Sequence, residues 1–257
     1  EIISTAKYLK IIVTPSTGSN HINKADCKDY AIKVASLRGT DFVNEIYASS
    51  EFAFTMILSV ARNLPKAYLG VLGYKWRESE DLYRSIEFRG KTLGLIGFGR
   101  IGSNVAKYAS AMGMKIIAYD PFVEIPPIYE TANSHIELLS NSDIILLAVH
   151  LDESTNNLVD STWFNEMKEG CIFVNISRGE IIDETALIEA LMSGKIRAAG
   201  VDVIRDEISS SIKSSPLINY AKEHDNLIIT PHIAGLSTDS EGKAALYAIN
   251  ELDKYFK

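Results

Sequence analysis

Six short runs dominated by Ile, Val, Leu and Ala recur through residues 91–230. They are TLGLIG (92–97), KIIAYD (115–120), DIILLAV (143–149), CIFVNIS (171–177), AAGVDVI (198–204) and NLIIT (226–230). None alternates polar with apolar residues, so each reads as a strand covered on both faces, as in a parallel sheet. Helical patterns at 101–112, 160–167 and 183–193 lie between them. That alternation predicts βαβ units and an α/β fold with a doubly wound parallel sheet.

The segments outside this block are of a different kind. Residues 51–64 are apolar almost all round, which predicts a helix buried between domains or subunits. Residues 10–14 and 33–36 read as strands joined by a helix at 24–32, and residues 240–256 read as a closing helix. SSSIKSS (209–215) reads as a mobile loop. Two strands and a helix do not make a stable sheet alone. The expected organisation is therefore an incomplete first domain (1–46), a sheet domain (47–237) and a terminal helix (238–257) returning to the first.

Composition narrows the function classes. The 257 residues are 46% hydrophobic and 23% charged, with a net charge of −7. These are ordinary globular values, and no basic stripe offers a footprint for nucleic acid. Two cysteines, Cys27 and Cys171, argue against a disulfide scaffold and for a cytoplasmic location. The longest apolar stretch, residues 52–61, is well short of the ~20 residues that cross a bilayer. No Cys/His grouping has zinc spacing, so no metal is expected.

GFGRIG places Gly97, Gly99 and Gly102 where a strand closes and a helix opens. Asp120 ends the next strand, close to the ~20-residue spacing of an acid that accepts from ribose hydroxyls. Gly97 suits a tight turn, Gly99 a close approach to pyrophosphate, and Gly102 the packing of helix on strand. The helix start at Arg100 and Ile101 would offer amides and a positive dipole end to the anion. An acid at Asp120 favours NAD over NADP. A glycine turn that binds nothing is the competing reading.

Three chemistry-bearing residues follow directly on three of the runs: Arg178, Glu207 and His232. Ligands of open α/β sheets bind outside the carboxyl ends of the strands, so these residues are expected to converge on the cofactor side. Taken singly, each also fits a structural role: Arg178 as a helix cap, Glu207 as a solvated charge, His232 as a core histidine.

Longer stretches carry a family likeness: STGSNHI (16–22), ASSEFAFTMIL (48–58), RGKTLGLIGFGRIG (89–102), YDP (119–121), ELLSNSDIILL (137–147), MKEGCIFVNISRGEIIDETAL (167–187), AAGVDV (198–203) and TPHIAG (230–235). Together they resemble the D-isomer-specific 2-hydroxyacid dehydrogenases. The resemblance implies a Rossmann NAD-binding domain and a flavodoxin-like substrate-binding cap domain whose first part is missing from this sequence. It also implies an NAD-dependent oxidoreductase that interconverts a small 2-keto acid and its D-2-hydroxy acid, as a homodimer.

By the same resemblance, Arg178 binds the substrate carboxylate and carbonyl, His232 is the acid/base, and Glu207 orients that histidine and favours its protonated form. Thr17 and Gly18 match a loop whose amides hold the carboxylate, and Asp202 matches a contact to the nicotinamide carboxamide. Two departures stand out. Glu207 is followed by Ile208 rather than the family's usual proline, and His150 ends Ala148-Val149-His150 where the family commonly reads H-x-P. A dinucleotide-binding sensor or corepressor of the same fold, without turnover, is the alternative.

Overall fold

The computed structural model describes residues 2–19, 21–207 and 210–257. In chain order its elements are α1 (Ile2–Thr5), β1 (Ile11–Thr14), α2 (Lys24–Asp29), β2 (Lys33–Ser36), α3 (Ala48–Ala61), α4 (Leu64–Leu72), β3 (Thr92–Ile96) and α5 (Arg100–Ala111). There follow β4 (Lys115–Tyr119), β5 (Glu130–Thr131), α6 (His135–Asn141), β6 (Ile144–Leu147), α7 (Ser161–Glu166) and β7 (Cys171–Asn175). The last are α8 (Glu184–Ser193), β8 (Ile196–Val201), α9 (Pro216–Glu223), β9 (Leu227–Ile229) and α10 (Thr238–Phe256). They form two compact units, Glu1–Ala48 with Gly235–Lys257, and Ser49–Ala234.

The larger unit is built on a seven-stranded parallel sheet of order β5-β4-β3-β6-β7-β8-β9. Alternate strand residues serve opposite cores. Leu93, Leu95, Ile144, Leu146, Ile172 and Val174 pack with Met56, Ile57 and Val60 of α3 and Val105, Ala106 and Ala109 of α5. Ile96, Ile145, Leu147, Cys171 and Phe173 pack with Leu138, Phe164, Leu187 and Leu217 from α6, α7, α8 and α9. Double coverage is why the runs are uniformly apolar. Each fully buried Leu or Ile there contributes roughly 1.5–3 kcal/mol. The strand order reverses at β3, with β4 on one side and β6 on the other, which opens a crevice at the carboxyl ends of these strands.

In the smaller unit β1 and β2 pair in parallel, Ile11 opposite Lys33. Leu37, Ile46, Ala244 and Tyr247 are buried together against Val13, Phe42 and Val43. The Tyr247 hydroxyl donates to Ser36 O at 2.7 Å, tying α10 to the end of β2.

The helix expected over 51–64 is α3, which stops three residues short at Ala61; Asn63 turns the chain with φ +52°, and a separate helix, α4, starts at Leu64 with Pro65 in its first turn. Proline lacks the N–H that a continuous helix would need there. Within the tract expected to be a mobile loop, a 3₁₀ turn spans Ser210–Ser214, and Ser215 caps α9 by accepting from Ile218 N. Ile208 and Ser209 lie outside the described residues. Helices α4, α6 and α9 carry no expectation in the sequence reading. Among the described residues no helix is long and apolar enough to cross a membrane.

Candidate active site

The glycine loop leaves β3 through Gly97, whose N–H donates to Tyr119 O at 2.9 Å and whose φ is +95°. A side chain there would be strained, and its Cβ would fall 2.5 Å from Ala148 O. Gly102 is required by proximity, since a Cβ would lie 2.2 Å from Gly97 O. Gly99 is the N-cap of α5 with no side-chain cap, and a Cβ on it would meet nothing within 4 Å. The amides of the first turn, from Arg100 and Ile101 onward, are thus presented at the positive end of a twelve-residue helix. Arg100 is half-buried, and burial lowers its guanidinium pKa.

Asp120 stands against this loop. One carboxylate oxygen accepts from Phe98 N at 2.8 Å, and the other accepts from Phe122 N and Val123 N at 2.9 and 3.2 Å. An uncapped helix start next to a fixed carboxylate suits a dinucleotide: the amides suit pyrophosphate, and the acid suits ribose hydroxyls and disfavours a further phosphate there. The donor set therefore fits NAD.

The turn after β7 is closed by its own side chains. Fully buried Asn175 accepts from Ser177 N at 2.8 Å and donates to Arg178 O at 2.9 Å. Ser177 Oγ donates to Leu147 O at 3.0 Å, on the neighbouring strand β6. Asn-x-Ser-Arg is thus a self-bracing turn that presents Arg178, half-buried, with one guanidinium nitrogen donating to Ser177 O at 2.6 Å.

Glu207 follows β8 and His232 follows β9, and the two side chains meet: His232 Nδ1 lies 2.6 Å from Glu207 Oε1. An ionised carboxylate only accepts, so Nδ1 carries the proton and Nε2 is the nitrogen left to exchange one. Strands β7, β8 and β9 are neighbours. At ~4.8 Å per strand spacing, the turns bearing Arg178 and His232 start roughly 10 Å apart.

His232 has φ +55°, a left-handed conformation that costs a non-glycine residue energy. Asp202 stabilises it from below. The Asp202 side chain is fully buried and accepts from Thr230 Oγ1 (2.5 Å), Ile233 N (3.0 Å) and Ala234 N (2.7 Å), while His232 N donates to the Asp202 carbonyl at 2.8 Å. The partners observed for this carboxylate are thus the turn that carries the histidine.

Thr17 and Gly18 belong to the other unit, in the loop after β1, where Ser16 Oγ donates to Gly18 O at 2.5 Å. His150 is exposed, and its carbonyl accepts from Thr155 Oγ1 at 2.6 Å. Three residues of this neighbourhood escaped the sequence reading: Thr230, Glu184 and Arg205. For Glu184 a signal was present, because the helix after β7 must start at the carboxyl edge of the sheet, where its first acid sits near the ligand crevice.

Residues 54–234 match the model of the D-isomer specific 2-hydroxyacid dehydrogenase NAD-binding domain. The chain is 36% identical over 257 residues to a hydroxypyruvate reductase of Thermotoga maritima, covering 99% of this chain and 80% of that protein. It is 36% identical over 248 residues to a D-3-phosphoglycerate dehydrogenase of Archaeoglobus fulgidus, spanning 94% of this chain but only 44% of that protein. The structure of a D-lactate dehydrogenase from Aquifex aeolicus, complexed with NAD and lactic acid, superposes with a TM-score of 0.86 at 30% identity, covering 99% of this chain and 78% of that one. With a Rossmann sheet, a glycine loop that fits its cofactor NAD, and these relatives, the chain belongs to the D-isomer-specific 2-hydroxyacid dehydrogenase family of NAD-dependent oxidoreductases.

Proposed function

We propose that this chain interconverts a small 2-keto acid and its D-2-hydroxy acid, with Arg178 gripping the substrate and His232, oriented by Glu207, moving the proton. The observation that carries this reading is the 2.6 Å contact between His232 and Glu207, on turns that neighbour the Arg178 turn at one edge of the sheet. When bound, NADH supplies hydride to the substrate's carbonyl carbon. Arg178 fixes the carboxylate and carbonyl by its planar fork. His232 donates the Nε2 proton to the carbonyl oxygen as it becomes hydroxyl, and Glu207 keeps the imidazole plane fixed through Nδ1. Asp202 holds the turn that carries His232, and in this reading it also meets the nicotinamide carboxamide.

Thr17 and Gly18 contribute backbone amides to the carboxylate, which makes residues 1–46 part of a substrate-binding cap to which the helix of 238–257 returns. Residues 47–237 are then the NAD-binding domain. A homodimer is supported by the apolar exposure of α4, where Leu64, Tyr68, Leu69 and Leu72 are each at least 60% exposed. Two free, buried cysteines agree with a cytoplasmic setting.

The test is NADH oxidation with pyruvate, glyoxylate, hydroxypyruvate, 2-ketoglutarate and phosphohydroxypyruvate. At least one should turn over, and His232→Ala should lower kcat by roughly 10²–10⁴-fold. Tight NADH binding without turnover of any of them would favour a sensor, and a near-normal rate in His232→Ala would remove the acid/base assignment.

A further inference from the structure

Glu207 reaches His232 from a turn, Arg205–Glu207, whose own sequence does little to hold it. It is followed by Ile208 and serines rather than by a proline that would restrict its backbone. Asp206 within it adopts φ +56°, a conformation unfavourable for a non-glycine residue that persists only where surroundings impose it. The neighbouring Arg205 is held by the start of α8 and by the loops beside it. The Glu184 side chain, 9% exposed, accepts from Arg205 N at 2.7 Å. The Arg205 guanidinium donates to Asn157 Oδ1 at 2.5 Å, Ile182 O at 3.0 Å and Glu180 O at 3.2 Å. The peptide joining Ile204 and Arg205 lies so close to Gly179 that a Cβ there would fall 2.1 Å from Ile204 C and 2.3 Å from Arg205 N.

The start of α8 does not itself need the Glu184 carboxylate. Asp183 already caps the helix, accepting from Thr185 N at 2.9 Å and Ala186 N at 3.1 Å. Burial pushes the Glu184 carboxyl above the usual carboxylate range, against the opposing effect of the Arg205 amide and charge. A buried acid kept at such a cost is explained by the amide it accepts from.

We infer that Glu184 is a positioning residue: by accepting from the Arg205 amide it holds the turn that delivers the Glu207 carboxylate to His232 Nδ1. Because α8 follows Arg178 after one short turn, a single rigid helix start then sets both the substrate-binding arginine and the partner of the acid/base. The inference rests on the proposed Glu207–His232 pair.

The test compares Glu184→Gln, Glu184→Asp and Glu184→Met in the full chain, each alone and in a Glu207→Gln background. Gln keeps an acceptor at full reach, Asp keeps the charge one methylene short, and Met keeps the bulk without an acceptor. Two readouts are used: kcat and KM for the best keto acid, and the ¹⁵N resonance of His232 Nδ1 without cofactor, which reports the hydrogen bond to Glu207. Gln should match the parent in both. Asp and Met should lose at least tenfold in kcat with KM for NADH within twofold, and their Nδ1 resonance should move toward that of Glu207→Gln. Neither should cause further loss in the Glu207→Gln background. If Met does not fold, Asp decides. Parent-like kcat and resonance in Asp, or a loss that persists in full on top of Glu207→Gln, overturns the inference while leaving the pair standing. Parent-like behaviour of Glu207→Gln itself overturns the pair.

Discussion

Replacing Asp202 by Asn changes one atom yet attacks the geometry of His232 directly. The carboxylate accepts Ile233 N through one oxygen and Ala234 N through the other, and Thr230 Oγ1 shares the first. Asparagine has a single acceptor oxygen. Whichever way its amide turns, one backbone N–H then faces an NH₂ group in a site with no exposure to solvent. The loss is one charge-assisted hydrogen bond, ~1.5–3 kcal/mol, plus two opposed donors at ~1–3 kcal/mol each if nothing moves. That is a large part of a domain's ~5–15 kcal/mol. Release of the turn is the cheaper outcome, since the left-handed His232 also sheds ~1–3 kcal/mol of backbone strain as it relaxes. A net loss of about 2–3 kcal/mol corresponds to a fall in Tm of roughly 4–12 °C for a chain of this size. The relaxed histidine should leave Glu207, so kcat should fall by about tenfold or more, as expected for a general acid out of place. The glycine loop lies on β3, several strands away, so the pyrophosphate and ribose contacts should stand; NADH affinity should fall only by the proposed carboxamide contact of Asp202, about tenfold at most, a shift of ~1.4 kcal/mol. Thermal melts, NADH titration and steady-state kinetics on one preparation supply all three numbers. A variant with parent-like Tm and parent-like kcat would refute the claim that this carboxylate holds the turn.

Two further outcomes follow from the same geometry. Gly102→Ala puts a methyl group 2.2 Å from Gly97 O, an overpacking of ~1–3 kcal/mol that the first turn of α5 must absorb by moving away from β3. Calorimetric titration should show NADH binding weakened by about tenfold, and an unchanged Kd would show that the loop tolerates the shift. Glu184→Gln tests the cost of a buried acid. The folded-state pKa of Glu184 is raised, by burial first and also by Asp206 and Glu180, against the Arg205 amide and charge. A raised acid contributes stability below its unfolded pKa and loses it as pH rises through the folded value. The variant should therefore gain on the parent as pH climbs through the carboxylate range, with a constant gap above it. Denaturant melts at a series of pH values check this, and a gap that opens toward acid instead would reverse the sign.

Much of this architecture is legible along the chain. Runs such as IILL (144–147) and CIFVN (171–175) are strands because alternate side chains enter opposite cores, so the signal is local and continuous. The placement of Arg178, Glu207 and His232 at strand ends is likewise a reading of order along the chain. Other features needed the assembled fold. The left-handed His232 depends on an acid 30 positions earlier whose side chain accepts from Ile233 and Ala234. Glu184 reads as an ordinary helix-start acid until the fold lays the Arg205 amide against it, 21 residues on. Periodicity records which face of an element is dry. Hydrogen bonds between loops depend on which strands become neighbours, and in this protein β7, β8 and β9 decide which side chains stand close enough to act together.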